Sequence, residues 1–127
     1  MFRFETDLIN GFKQHIPLTF DVKSMSEEVP FFSRSIDMII LNNNNEIISI
    51  EFKLRDIKNV YEQAKKCLLC SDYVYVCLPK RNLQNENCEL FKKSGIGIIF
   101  VDDEVSIYQE AKQSQKNFLK SKVRKYL

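Results

Sequence analysis

SIDMIILNNNNEIISIEFKLRD, residues 35–56, reads as two apolar runs joined by four asparagines. Ile36, Met38 and Ile40 alternate along the first run, and Ile48, Ile50, Phe52 and Leu54 along the second, with the period of two that marks a strand with one buried face. Asparagine tolerates the left-handed backbone of tight turns, so the stretch predicts an antiparallel hairpin. Charges stand where a plain sheet would carry valine or threonine: Asp37 on the first strand, Glu51 and Lys53 on the second.

The register decides whether those charges meet. An even four-residue loop, with Leu41 opposite Glu46, pairs Asp37 with Ile50 and leaves the two acids on opposite faces. An odd loop over residues 43–45, with Asn42 opposite Glu46, places Asp37 across from Glu51 and Ile39 across from Ser49, and gathers Ile36, Met38 and Ile40 on the face of Ile50 and Phe52. A slip of one residue flips the whole set, so burial of the apolar face selects three or five loop residues, or a bulge to the same effect. Cross-strand carboxylates about 5 Å apart repel unless a cation lies between them. Asp37 and Glu51, with the Phe52 backbone carbonyl as a further oxygen, would form an incomplete hard-oxygen site of the kind Mg2+ (or Mn2+) prefers, open to water and phosphate oxygens. Lys53, on the face of Glu51, would hold the attacking water or stabilise charge growing on phosphorus.

Helical spacing of Phe4, Leu8, Ile9, Phe12 and Ile16 predicts a first helix over residues 2–16, stopped by Pro17. Residues 18–22 alternate as a short strand, and residues 23–29 read as a polar connection. Asp56 caps a second helix reaching about residue 72, with Ile57, Val60, Tyr61, Ala64, Cys67, Leu68 and Ser71 on one face. YVYVCL, residues 73–78, suits a strand covered on both sides, and Pro79 ends it. A polar loop over residues 80–87 leads to a short helix through Cys88, Leu90 and Phe91, stopped by Gly95. Residues 96–101 follow as a buried strand, residues 105–108 as an edge strand, and residues 110–126 as a charged terminal helix. The order α-β-β-β-α-β-α-β, with that C-terminal helix, makes a mixed α/β sandwich.

A chain of 127 residues with 44% hydrophobic and 28% charged residues fits one domain, residues 1–127, with a core over about residues 2–101. No apolar run approaches the ~20 residues that cross a bilayer, and MFRFETDL lacks a signal peptide's hydrophobic stretch, so a cytoplasmic protein with no membrane partner is expected. The net charge is +2, but residues 112–127 hold six Lys or Arg and no acid. Lys120, Lys122, Arg124 and Lys125 could meet a polyanion there, or simply form a solvated face. Cys67 and Cys70 have C-x-x-C spacing, but no second ligand pair accompanies them, and Cys67 lies on the apolar helix stripe, which favours a core role over metal or redox chemistry. Three glycines, Gly11, Gly95 and Gly97, supply neither a P-loop nor a G-x-G-x-x-G turn. His15, the only histidine, excludes H-E-x-x-H zinc hydrolysis and disfavours a serine triad.

Asp37, the hairpin and Glu51-Phe52-Lys53, in this element order, resemble the PD-(D/E)XK nuclease superfamily over roughly residues 2–101. The resemblance implies a restriction-endonuclease-like three-layer α/β/α sandwich with a mixed central sheet, and a divalent ion serving phosphodiester cleavage. It further implies Glu5, bordering the inward face of the first helix, as an outer or second-metal acid, and Gln63, in YEQAKK, as a residue orienting water or phosphate. Position 36 is isoleucine where the family name has proline. Relatives with an iron–sulfur cluster bracket the domain with cysteines, whereas Cys67 and Cys70 sit together mid-chain, so no cluster is implied. Arg34, three residues before Asp37, either meets a phosphate or pairs with Glu27 or Glu28.

The expected function is therefore metal-dependent hydrolysis of phosphodiester bonds in DNA by a Mg-dependent endonuclease or exonuclease. Asp37 and Glu51 are the ligands, Lys53 the electrostatic catalyst, and Glu5 and Gln63 the supporting groups. Junctions, flaps, single strands and RNA all fit, as do a homodimer or larger complex. The alternative is a catalytically silent module of the same fold that binds nucleic acid or a protein partner.

Overall fold

The computed structural model describes residues 2–80 and 85–127. Its elements are α1 (Glu5–Gln14), a 3-10 turn (Leu18–Phe20), β1 (Val22–Phe31), β2 (Arg34–Asn42), β3 (Ile47–Phe52), α2 (Ile57–Cys67), β4 (Tyr73–Pro79), α3 (Asn85–Ser94), β5 (Gly97–Val101), β6 (Val105–Gln109) and α4 (Ser121–Arg124). Among the described residues the strands form one six-stranded sheet in chain order. β1, β2 and β3 are antiparallel neighbours. The connections carrying α2 and α3 make β3, β4 and β5 parallel, and β6 returns antiparallel at the edge.

The hairpin of β2 and β3 closes over the odd loop. Asn42 donates its amide to the Glu46 carbonyl at 3.0 Å, and Met38 pairs with Ile50, Ile39 with Ser49 and Ile40 with Ile48. Asn45 takes the left-handed conformation, φ 64°, that lets three residues reverse the chain. On one side of the sheet Met38, Ile40, Ile48, Ile50 and Phe52 pack with Leu8 and Phe12 of α1; on the other Ile39, Leu41 and Ile47 pack with Val60 and Ala64 of α2, Phe91 of α3 and Val123 of α4. Helices on both faces of a mixed sheet make an α/β sandwich.

Several boundaries differ from the sequence reading, each for a physical reason. The first strand is not residues 18–22 but the ten residues of β1, which include the whole of the expected polar connection. β1 is an edge strand, so its charged side chains, Lys23, Glu27 and Glu28, stay exposed while its backbone is paired. Ile36 leaves the face of Met38 and packs with Val29 and Phe31 on the α2 side. The alternation breaks there, opposite Glu28, whose φ of 50° marks an irregular backbone. α1 is shorter than residues 2–16, and Asp7 caps its start by accepting from the Phe4 amide at 3.0 Å. α2 stops at Cys67 because the next amides, of Leu68, Leu69 and Cys70, bond three residues back and tighten the chain before β4. Gly95, at φ 77°, ends α3 as expected. Residues 81–84 of the expected polar loop lie outside the described residues.

The expected terminal helix over residues 110–126 is confined to α4. The amides of Lys112, Ser114 and Leu119 bond instead to the carbonyls of Gly95, Asp72 and Leu69 at 2.9, 2.7 and 2.8 Å. Tertiary acceptors displace the helical ones, and the segment becomes a strap. Asp72, 2% exposed, is its anchor: the carboxylate accepts from the Ile47 amide at 2.8 Å, Asn117 Nδ2 at 2.6 Å and Lys120 Nζ at 2.7 Å. No helix among the described residues is long and apolar enough to cross a membrane.

Removing a buried carboxylate strands all of its donors. Asp72→Ala is expected to cost about 3 kcal/mol or more in denaturant unfolding, and to free residues 110–120 for proteolysis.

Candidate active site

β2 and β3 stop exchanging backbone bonds just beyond Met38 and Ile50, and side chains take over. The Asp37 amide donates to Glu51 Oε2 at 2.8 Å, and the Phe52 amide donates to Asp37 Oδ2 at 2.9 Å. Each acid thus reaches the main chain of the opposite strand, and the two carboxylates converge where the strands part. Glu51 is fully buried, and its Oε1 accepts from Arg34 Nη2 at 2.7 Å. Asp37 Oδ1 has no hydrogen bond among the described residues.

Lys53 follows β3, held by a bond from its amide to the Cys77 carbonyl at 3.1 Å, and its Nζ lies 3.8 Å from Glu5 Oε2 at the start of α1. Glu5, Arg34 and Lys53 all act electrostatically on Asp37, so five ionisable groups from α1, β2 and the end of β3 share one corner. Phe52 points away, its ring edge-on to Phe12 at 5.6 Å. Gln63 is half-buried on α2, one turn before Cys67, which is close enough to Glu51 to feel its charge; the Gln63 side-chain amide has no hydrogen bond among the described residues.

Burial pushes the Glu51 carboxyl up to about 7, and the Asp37 charge adds to the push, while the Asp37 amide and the Arg34 guanidinium pull it back. Burial likewise raises Asp37, opposed by the Phe52 amide, and Glu5 raises it further. Both acids resist ionisation in this corner, and a nearby divalent cation would relieve that. The donor set is of the right kind: hard carboxylate oxygens with one Asp37 oxygen open. Among the described residues no three His, Cys, Asp or Glu side chains could hold a metal by themselves. A cation here would therefore draw on backbone, water or phosphate oxygens as well.

Other candidates go elsewhere. Arg34 does not pair with Glu27 or Glu28; Glu27 is bound by Lys13 at 2.8 Å, and Arg34 turns to Glu51. In a flat strand Arg34 and Asp37 would face opposite ways, so strict alternation hides this pair. The irregularity that reassigns Ile36 also lets Arg34 reach Glu51. Lys120 is engaged by Asp72 and Arg124 by Asn45 Oδ1 at 2.7 Å, while Lys122 lies over the Phe32 ring and Lys125 over Tyr126. Cys67 and Cys70 are buried free thiols, and burial raises them, Cys70 to about 11, which disfavours thiolate chemistry near neutral pH.

Because the folded state raises the Glu51 carboxyl from 4.5 to about 7, it binds this proton more tightly than the unfolded chain does. The resulting stability is complete below about pH 4.5 and is lost as pH rises through about 7. In EDTA, Glu51→Gln should remove this falling component of stability, at most about 3 kcal/mol between pH 4.5 and 7.5. Paired thermal melts of the two proteins measure the difference.

No family model matches the chain, and no curated protein matches it. Solved structures with a similar fold include the following two. One is SPO1766, a protein of unknown function from Silicibacter pomeroyi, at 20% identity and TM-score 0.66, covering 93% of this chain and 82% of that one. The other is a repair endonuclease from Pyrococcus abyssi, at 15% identity and TM-score 0.58, covering 81% of this chain and 49% of that one. The chain thus spans about half the length of the endonuclease whose fold it shares.

Proposed function

We propose that the chain is a metal-dependent nuclease that hydrolyses phosphodiester bonds in DNA. The observation that carries this reading is the cross-strand pair of Asp37 and Glu51, with Lys53 beside it and one Asp37 oxygen open, in a fold similar to that of a repair endonuclease. Asp37 and Glu51, with the Phe52 carbonyl, would hold Mg2+ or Mn2+, which would supply Lewis acidity toward a phosphate oxygen and lower the pKa of a water. Lys53 Nζ, 3.8 Å from Glu5, presents a positive charge to the phosphate as negative charge accumulates on it. Arg34 leaves Glu51 and neutralises a neighbouring phosphate, exchanging one anion for another. Gln63, with its amide uncommitted, orients the water or a phosphate oxygen.

A second reading has its own support. The Arg34–Glu51 ion pair and the two amide-to-carboxylate bonds already balance much of the corner without metal. This favours a catalytically silent module that retains the fold for binding nucleic acid or a protein.

Plasmid nicking separates the two. With Mg2+ or Mn2+ the wild-type protein should nick supercoiled DNA, and Lys53→Ala should slow nicking by roughly 100- to 1,000-fold. The melting temperature should hardly change, since Lys53 and Glu5 form a long, partly exposed pair of little structural worth. Protein that retards DNA in a gel yet never cuts it under any divalent metal is the binding module.

A further inference from the structure

The turn between β1 and β2, at the start of the strand that carries Asp37, holds an aromatic ring out in a conformation that the ring itself disfavours. Phe31 pairs with Arg34 across the strands, so the loop is only Phe32 and Ser33. Phe32 has φ 58° and Ser33 is not left-handed, which puts the positive φ at the first of two loop positions, where hairpins take glycine. A bulky side chain there is an outlier. Burial does not compensate: Phe32 is 69% exposed, and its ring neighbour is the adjacent Phe31, tilted at 4.6 Å. Strain retained without packing points to a side chain kept for a ligand.

The surroundings specify the ligand. Exposed Lys122 of α4 sets its Nζ 5.6 Å from the centre of the Phe32 ring. Lys120 and Arg124 are tied to Asp72 and Asn45, but neither Lys122 nor Lys125 has a carboxylate partner among the described residues, and residues 112–127 contain no acid. Phe32, in the turn, precedes Asp37 of β2 by five residues, at most roughly 17 Å of extended chain and a reach of a few nucleotides. A ring with a cation above it, upstream of Asp37 and of the carboxylate pair that Asp37 forms with Glu51 across β2 and β3, fits a base to stack and a phosphate to neutralise. Bases inside a duplex offer no free face to such a ring; unpaired ones do.

We infer that Phe32 is the stacking platform for an unpaired base, with Lys122 at the adjoining phosphate. The ligand of this edge is then single-stranded nucleic acid, or the single-stranded arm of a branched one. This deepens the proposed function and rests on its nucleic-acid reading.

The test is fluorescence anisotropy in EDTA with a labelled oligothymidylate and a blunt duplex. Phe32→Ala should weaken oligothymidylate binding about tenfold and leave the duplex unaffected, while Phe32→Trp retains affinity. Lys122→Ala should lower the slope of log affinity against log salt by about 1. Phe32→Gly should bind as poorly as Phe32→Ala yet melt at or above the wild-type temperature, because glycine relieves the positive φ. Wild-type affinity in Phe32→Ala, equal losses in Phe32→Ala and Phe32→Trp, or equal losses for strand and duplex would each overturn the inference. Plasmid nicking is scored in parallel. Protein that needs Phe32 to bind oligothymidylate but cuts nothing refutes the nuclease reading alone. Protein that cuts, with Phe32→Gly binding normally, refutes the stacking platform alone. Protein that binds no oligonucleotide refutes this inference, whatever nicking shows.

Discussion

The register of one hairpin governs the rest of the molecule. Asn42 builds the turn from its own side chain: its Oδ1 accepts from the Asn44 and Glu46 amides at 3.0 and 2.8 Å, and its Nδ2 donates to Glu46 Oε1 at 3.0 Å. Asp72 holds the first residue of β3 through the Ile47 amide. With both ends of the turn fixed, Met38, Ile40, Ile48 and Ile50 fall under α1, and Ile39, Leu41 and Ile47 under α2. Asp37 and Glu51 meet as a consequence of that burial. A slip of one residue would separate them and turn both apolar sets to the wrong side.

The same geometry sets stability against chemistry. Two carboxylates brought together in a buried corner are costly, and burial raises both. The chain offsets this with two main-chain amides and one guanidinium. Those contacts hold the carboxylates in place, but they leave the pair short of positive charge. Arg34 is the pivotal group, because its position on Glu51 is one that a cation would compete for. Lys53 and Glu5 lie at the rim, partly exposed and loosely paired at 3.8 Å, where reorientation is inexpensive.

The buried parts of this fold were readable because burial imposes a period. The hairpin register follows from alternation and the apolar face of α2 from helical spacing, the doubly covered β4 shows as a continuous apolar run, and Gly95 marks the end of α3. The edges were not. β1 carries polar residues along a paired but solvated strand, so its length left no periodic trace. Residues 110–120 have a helix-compatible composition, yet their backbone bonds go to Gly95, Asp72 and Leu69, acceptors distant in sequence. Within the site, the meeting of Asp37 with Glu51 follows from the register, whereas the 3.8 Å approach of Glu5 on α1 to Lys53 beyond β3 is set by tertiary packing rather than by any local pattern. The Arg34–Glu51 pair needed a break in alternation near Glu28 and Asp37 that no local pattern announces.

The central claim is that Asp37 and Glu51 jointly hold one divalent cation. A crystal structure of the protein with Mn2+, located by its anomalous scattering, tests this directly. The account predicts a single peak at roughly 2.2 Å from carboxylate oxygens of both residues, with Arg34 displaced from Glu51. An Arg34–Glu51 contact still at 2.7 Å, with no manganese between the two strands, would contradict it.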